Sequence, residues 1–231
     1  MRVEQLWRFP VKSMRGEQLR SATVTKDGIA GDRLIHVRNH HGVVTARTRS
    51  GLLGLAATTD EDGEVLVDGL PWKDPAVSAA IERVTGPGVE AVQYAGRERF
   101  DVMPLLVATD GGITAFANSG RRLRPNIVVG GVDGLAERDW PGRTLRIGEV
   151  VIGMLKLRQR CVVTTFDPDT GEQDLDVLRR INREFDGRVA LDCWVERPGT
   201  ISVGDPVEVV DEHLEPPPRG GWIVGAPYTV P

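Results

Sequence analysis

Short runs of alternating apolar and polar residues dominate the chain, and they predict strands. Residues 3–9, 19–25, 33–37 and 43–47 are rich in β-formers and bounded by turn residues. The pattern returns at 89–94, 104–109, 126–129, 144–147 and 150–157, then at 189–195, 200–203 and 206–210. Between two of these, Asn39-His40-His41-Gly42 predicts a tight hairpin turn.

Two stretches follow the helical period instead. Over 75–85, Val77, Ala80, Ile81 and Val84 fall on one face. Asp74 is placed to cap that helix, Pro75 sits at its first position, and Gly86 ends it. Over 174–185, Leu175, Leu178, Ile181 and Phe185 share a face, opposite Asp176, Arg179, Arg180 and Arg183. A weaker signal marks a short helix near 112–118. Many short strands with few helices predict a mainly β fold, curled or closed into a β-barrel, with a few peripheral helices. The chain carries no internal repeat. A soft boundary falls at 86–99, where Gly-Pro-Gly and a charged stretch interrupt the apolar pattern. From Glu212 on, Pro216-Pro217-Pro218 and Gly220-Gly221 predict an extended, loosely held tail.

Composition narrows the function classes. The 231 residues make one large domain or two small ones, and 40% apolar content fills a core. Charge is near balance, 29 basic against 33 acidic residues, without the basic surplus of a general nucleic-acid binder. No apolar run approaches the roughly 20 residues of a membrane helix. The first nine residues alternate, unlike a secretory signal, so a reducing cytoplasm is the expected location and no membrane partner is expected. Cys161 and Cys193 do not make a disulfide framework. With no CxxC and four scattered histidines, a structural zinc site is not expected either.

Three constellations could carry chemistry. Cys161 follows Lys156, Arg158 and Arg160, and cations that reach a thiol favour its thiolate, which is both a soft metal ligand and a nucleophile. The competing reading is a buried strand cysteine; regular strand parity would also turn Arg160 away from the Cys161 face. In Arg124-Pro125-Asn126, the proline favours an extended Arg124, so Arg124 and Asn126 share a side as an oxyanion fork and an amide. A loop salt bridge is the alternative there. Lys12 and Ser13, with Arg33 after Gly28-Ile29-Ala30-Gly31-Asp32, could grip an anion or simply decorate a surface turn. Metal binding by histidine is rejected: His36 and His40 share parity but lie about 13 Å apart on a strand, so a solvated hairpin is the better reading. Cys193 reads as core.

Taken in order, these pieces resemble one family. Phe9-Pro10-Val11-Lys12-Ser13 with Gly28 to Arg33 resembles the N-terminal β-barrel module of MOSC proteins, named for the C-terminal domain of molybdenum cofactor sulfurases. Arg124 to Val128, Asp139-Trp140, Leu145 to Gly148, Arg160-Cys161 through Gly171 and Arg197 to Ile201 resemble the MOSC domain itself. On this resemblance, 1–95 is the N-terminal module, 96–211 the MOSC domain and 212–231 the tail. The family includes mitochondrial amidoxime-reducing enzymes and bacterial relatives that detoxify N-hydroxylated bases.

The resemblance implies a molybdenum cofactor, a molybdopterin, with Cys161 as the metal's protein ligand and catalytic residue. It implies that Lys12, Ser13, Arg33, Arg124 and Asn126 hold the pterin and its phosphate, with Thr165 and Asp167 in the same signature. The implied activity is an oxidoreductase that reduces small N-hydroxylated molecules, with electrons from a separate donor protein. Two other readings stay open at this point: a sulfur carrier or transferase using a Cys161 persulfide, and a non-catalytic molybdopterin-binding protein. The chain departs from its relatives at Gln159, where several carry a second cysteine, and at Thr109-Asp110-Gly111-Gly112, where several carry a Ser/Thr-rich segment. An inward Asp110 would be unfavourable beside a phosphate.

Overall fold

A computed structural model describes residues 1–96 and 99–217. The first lobe begins with β1 (Arg2–Arg8), β2 (Glu17–Leu19), β3 (Ser21–Thr25), β4 (Gly28–Ile29), β5 (Ile35–Asn39) and β6 (Gly42–Val44). It continues with β7 (Ala57–Thr59), β8 (Val65–Val67), β9 (Leu70–Pro71), helix α1 (Pro75–Thr85) and β10 (Glu90–Gln93). After a linking segment come β11 (Leu105–Thr109), α2 (Asp110–Phe116), β12 (Ile127–Gly130), β13 (Thr144–Ile147) and β14 (Val150–Gln159). The last elements are α3 (Leu175–Phe185), β15 (Arg188–Arg197), β16 (Gly199–Ser202) and β17 (Val207–Val210).

Eight strands join in one sheet, ordered β17-β13-β14-β15-β11-β12-β1-β2. Its pairs are antiparallel except β11 with β12. The fold is mainly β with a few peripheral helices, as the sequence predicts, but the barrel is not closed. The strand order stays open; the first and last strands meet where Val3 N donates to Asp205 O (2.9 Å) and Val207 N to Met1 O (3.0 Å), and β3 pairs with β16 in a separate small sheet. The main core lies inside this sheet, where Leu6, Val107, Ile127, Ile152 and Leu191 are fully buried. A second core fills the first lobe around Met14, Val37, Leu52 and Ile81. A third joins α2 to α3 through Phe116, Ile181 and Phe185.

Local sequence explains the helices. Asp74 accepts a hydrogen bond from Ala76 N (2.7 Å), Pro75 opens α1 and Gly86 closes it at φ 93°. Asp174 caps α3 in the same way, accepting from Asp176 N at 2.9 Å. The third helix starts at Asp110 because Thr109 Oγ1 accepts from Gly112 N (2.9 Å). The His40-His41 hairpin forms with Asn39 opposite Gly42. His36, however, is not solvated. It is 1% exposed on β5, neither ring nitrogen has a hydrogen-bond partner, and burial followed by Lys12 and Arg38 pushes its pKa down to about 4.

The two longest strands, β14 and β15, position the site. Their register shifts at three places, the last between Leu157 and Gln159. Bulges bend a strand and end its pairing, and this one lies immediately before Cys161. Gly153 on β14 is required by close approach: a Cβ there would stand 2.1 Å from Trp194 Cζ2 on β15. Past β17, Thr144 Oγ1 donates to the Glu212 carbonyl (2.6 Å) and Arg146 pairs with its carboxylate (2.7 Å). The rest of the expected tail, from residue 218, lies outside the described residues.

Candidate functional site

Where the first lobe meets the large sheet, one cavity gathers Lys12, Ser13, Arg33, Arg124, Asn126 and Cys161. They come from the segment after β1, the turn before β5, the entry to β12 and the exit of β14. Arg47, Arg158 and Arg160 line it too, which makes six cations against the two carboxylates Asp101 and Asp192.

Cys161 is half-buried and free of any disulfide. It caps the 3-10 turn Val162–Thr165, with its carbonyl accepting from Thr164 Oγ1 (2.8 Å) and Thr164 N (3.1 Å). The strand-parity argument that separated it from Arg160 does not apply, because β14 ends at Gln159. Beyond that point the chain turns, and Arg160 and Cys161 both face the cavity. Arg158 lines it as well, whereas Lys156 is exposed on the strand.

Arg124 is the least compensated of the cations. Among the described residues its guanidinium has no carboxylate partner and rests over the Phe9 ring at 4.2 Å. Burial, with Arg33 adding repulsion, draws its pKa from 12.5 down to about 9. Its backbone is not extended as the following proline predicts, but left-handed at φ 57° and ψ 50°. That conformation closes the 3-10 turn Gly120–Leu123, a position glycine usually takes. Ser13 (φ 71°) and Arg33 (φ 54°) are also left-handed. Non-glycine residues in this region are uncommon and gather at functional sites.

The remaining cations are anchored in different ways. Burial lowers the Lys12 pKa, although Asp101 opposes the change; its Nζ donates to Arg99 O (2.7 Å) and Asp101 Oδ1 (2.8 Å). Arg33 pairs with Asp32, which also accepts from Phe9 N (2.7 Å). Arg160 donates to Leu123 O (2.8 Å), leaves its Nε buried without a partner, and is drawn by burial and then Arg158 to a pKa of about 10. Burial alone would raise the Asp101 carboxyl, but Lys12, Arg47 and Arg158 hold it well below the usual carboxylate range. Asp192 goes the other way: burial raises it despite an Arg158 bond of 2.9 Å, and its Oδ2 has no partner.

Four further predicted site residues have structural hydrogen bonds to account for; Ser13 Oγ accepts from Ala46 N (3.0 Å). Asn126 accepts from Leu106 N (3.1 Å) and donates to Trp7 O (3.3 Å), so its amide ties β11 to β1 at the cavity wall. Thr165 and Asp167 do not line the cavity. Thr165 Oγ1 donates to Val162 O (2.7 Å), and Asp167 accepts from Asp169 N (2.9 Å) and pairs with Arg122 (2.9 Å). They shape the turn that follows Cys161. Asp110 points away from the cavity; its carboxylate accepts from Gly111, Gly131 and Val132 N.

Asp101, Arg47 and Asp192 were not singled out from sequence. Asp192 had a readable signal, a lone acid inside the apolar run 189–195. Asp101 and Arg47 had none, because their roles come from long-range packing.

A family model described as the MOSC N-terminal beta barrel domain matches residues 1–101, and one for the MOSC domain matches 112–208. Mitochondrial amidoxime-reducing component 1 of Homo sapiens is 29% identical, over 91% of this chain and 83% of its own length. The Mus musculus protein of the same name is 27% identical, over 91% and 82%. Among solved structures, the YUAD protein from Bacillus subtilis aligns over 90% of this chain and 94% of its own, at 14% identity and a TM-score of 0.46.

Proposed function

We infer that this chain, which belongs to the MOSC domain proteins, is a molybdenum-cofactor-dependent oxidoreductase that reduces N-hydroxylated compounds. The observation that carries this reading is the convergence of a free, half-buried thiol and six cations, from both matched segments, on one cavity. The cations fit an anionic, phosphate-bearing cofactor: burying such charge without partners would be costly, and among the described residues Arg124 makes no ion pair. Cys161 fits a soft metal ligand. The relatives' name, amidoxime-reducing component, supports the substrate class.

In this reading Cys161 ligates the metal, and the 3-10 turn fixes its backbone. Lys12, Ser13, Arg33 and Arg124 hold the cofactor's phosphate and pterin, and Asn126 keeps the wall beside them in register. Thr165 and Asp167 act through the turn they stabilise. When bound, the cofactor supplies the two-electron chemistry; the protein supplies binding, orientation and electrostatics. The overall change takes an N–OH group, two electrons and two protons to N–H and water. A separate redox protein donates the electrons, and the N-hydroxylated substrate is a small molecule. Among the described residues no helix is long and apolar enough to cross a membrane. We assign the protein to the cytoplasm, in keeping with two free cysteines.

The test is metal analysis of protein made in a host that synthesises molybdopterin, with amidoxime reduction by a chemical donor. We expect about one molybdenum per chain. Cys161→Ser should lose most of the metal and the activity while melting close to cofactor-free wild type, since among the described residues the thiol makes no structural hydrogen bond. Correctly folded wild-type protein free of molybdenum would refute the reading.

A further inference from the structure

Asp101 is an anion already seated among the cations of an anion-binding cavity. It lies on the segment between β10 and β11, with a side chain 26% exposed. One oxygen accepts from Lys12 Nζ (2.8 Å); the other meets Arg47 Nη2 (2.9 Å) and Arg158 Nη2 (3.3 Å). Three of the six lining cations therefore converge on a carboxylate supplied by the chain itself. A second anion brought to the same cations faces Asp101 as a like charge at short range, where repulsion is strong in a partly dehydrated site.

We propose that Asp101 is an internal counter-ion that holds the cavity's cations while no anionic ligand is bound and gives up part of that grip when one binds. The inference rests on the cavity being an anion site, as the proposed function requires. It assigns a specific role to a residue outside the predicted cofactor-binding set. Two consequences are opposite in sign. In the empty protein Asp101 stabilises, because buried or half-buried cations without a partner are costly. In the loaded protein it competes, which weakens ligand binding and makes loading reversible.

The test uses full-length, cofactor-free protein from a host unable to make molybdopterin, with inorganic pyrophosphate as the probe. Asp101→Asn should melt below wild type when empty. It should bind pyrophosphate at least tenfold more tightly in calorimetry, and the melting gap should narrow as pyrophosphate saturates. Unchanged or weaker binding by the variant, with wild type binding normally, would overturn the role of Asp101 alone. If neither protein binds pyrophosphate, the anion-site reading fails and takes this inference with it. Should the variant not fold, wild type still decides: a pyrophosphate-bound structure must show Asp101 released from at least one of Lys12, Arg47 and Arg158. Retention of all three contacts would refute the exchange.

Discussion

Replacing Arg124 by methionine should make the empty protein more stable while abolishing cofactor loading. Burial draws the guanidinium from 12.5 to about 9. At 1.36 kcal/mol per pH unit, its charged form is disfavoured by roughly 4–5 kcal/mol on folding. The side chain is only half-buried, and exposure to solvent screens it, so about half of that cost remains, about 2 kcal/mol. The variant loses the stacking of Arg124 over Phe9 at 4.2 Å, worth about 0.5–1 kcal/mol, and methionine restores part of it through its sulfur. The left-handed backbone at φ 57° is strained in both proteins and cancels. The net gain is about 1–2 kcal/mol, or roughly 3–6 °C for a chain of this size. Arginine holds its charge throughout the ordinary pH range, so the gain should be the same at pH 6 and pH 8. Urea titration and thermal melts of cofactor-free protein measure it, and molybdenum content of protein from a competent host gives the second arm. An unchanged or lower melting temperature would mean that the charge is well compensated. Normal metal content would mean that Arg124 does not anchor the cofactor.

His36 should make the fold acid-sensitive. Its folded pKa is about 4 against 6.5 unfolded, so below pH 6.5 the unfolded chain takes up a proton that the folded one refuses. Stability is then lost progressively as pH falls from 6.5 towards 4, by up to about 3 kcal/mol. His36→Phe should flatten this part of the urea-midpoint profile; a parallel profile would show that His36 is not the titrating group. Gly153→Ala should cost about 2–3 kcal/mol, because the added carbon would stand 2.1 Å from Trp194 Cζ2 between two central strands. A loss under about 0.5 kcal/mol would mean that the indole shifts freely, which close packing does not allow.

Legibility in the sequence followed the range of the interactions. Helix α1 was predicted to the residue, because Asp74, Pro75 and Gly86 are local signals that act within one turn. Strand β13 was readable because turn residues bound it closely, and β14 because its apolar start, Val150 to Met154, is buried throughout. Strands β7 to β9 were not predicted, since two or three residues give alternation too little length to register. The thiol and its basic neighbours could be picked out as residue types, yet whether they met could not. Arg124 shows why. Proline chemistry favours extension, but the closing of a 3-10 turn imposed a left-handed backbone instead. Asp101 fell in a stretch read only as a boundary, because its meaning depends on Lys12, Arg47 and Arg158, brought from 89, 54 and 57 residues away.

Strand exchange between the two matched segments limits how this protein can be shortened. Strand β1 pairs with β12 over Leu6 and Ile127, and β3 pairs with β16 over Ala22 and Ile201. A fragment cut at about residue 104 would carry β12 with a bare, apolar edge, ready to recruit a second copy. Its missing half would be the complementary strand donor. Co-expressing the two pieces should therefore restore a folded particle where either alone precipitates, and gene truncations that drop the leading portion should not survive as independent modules.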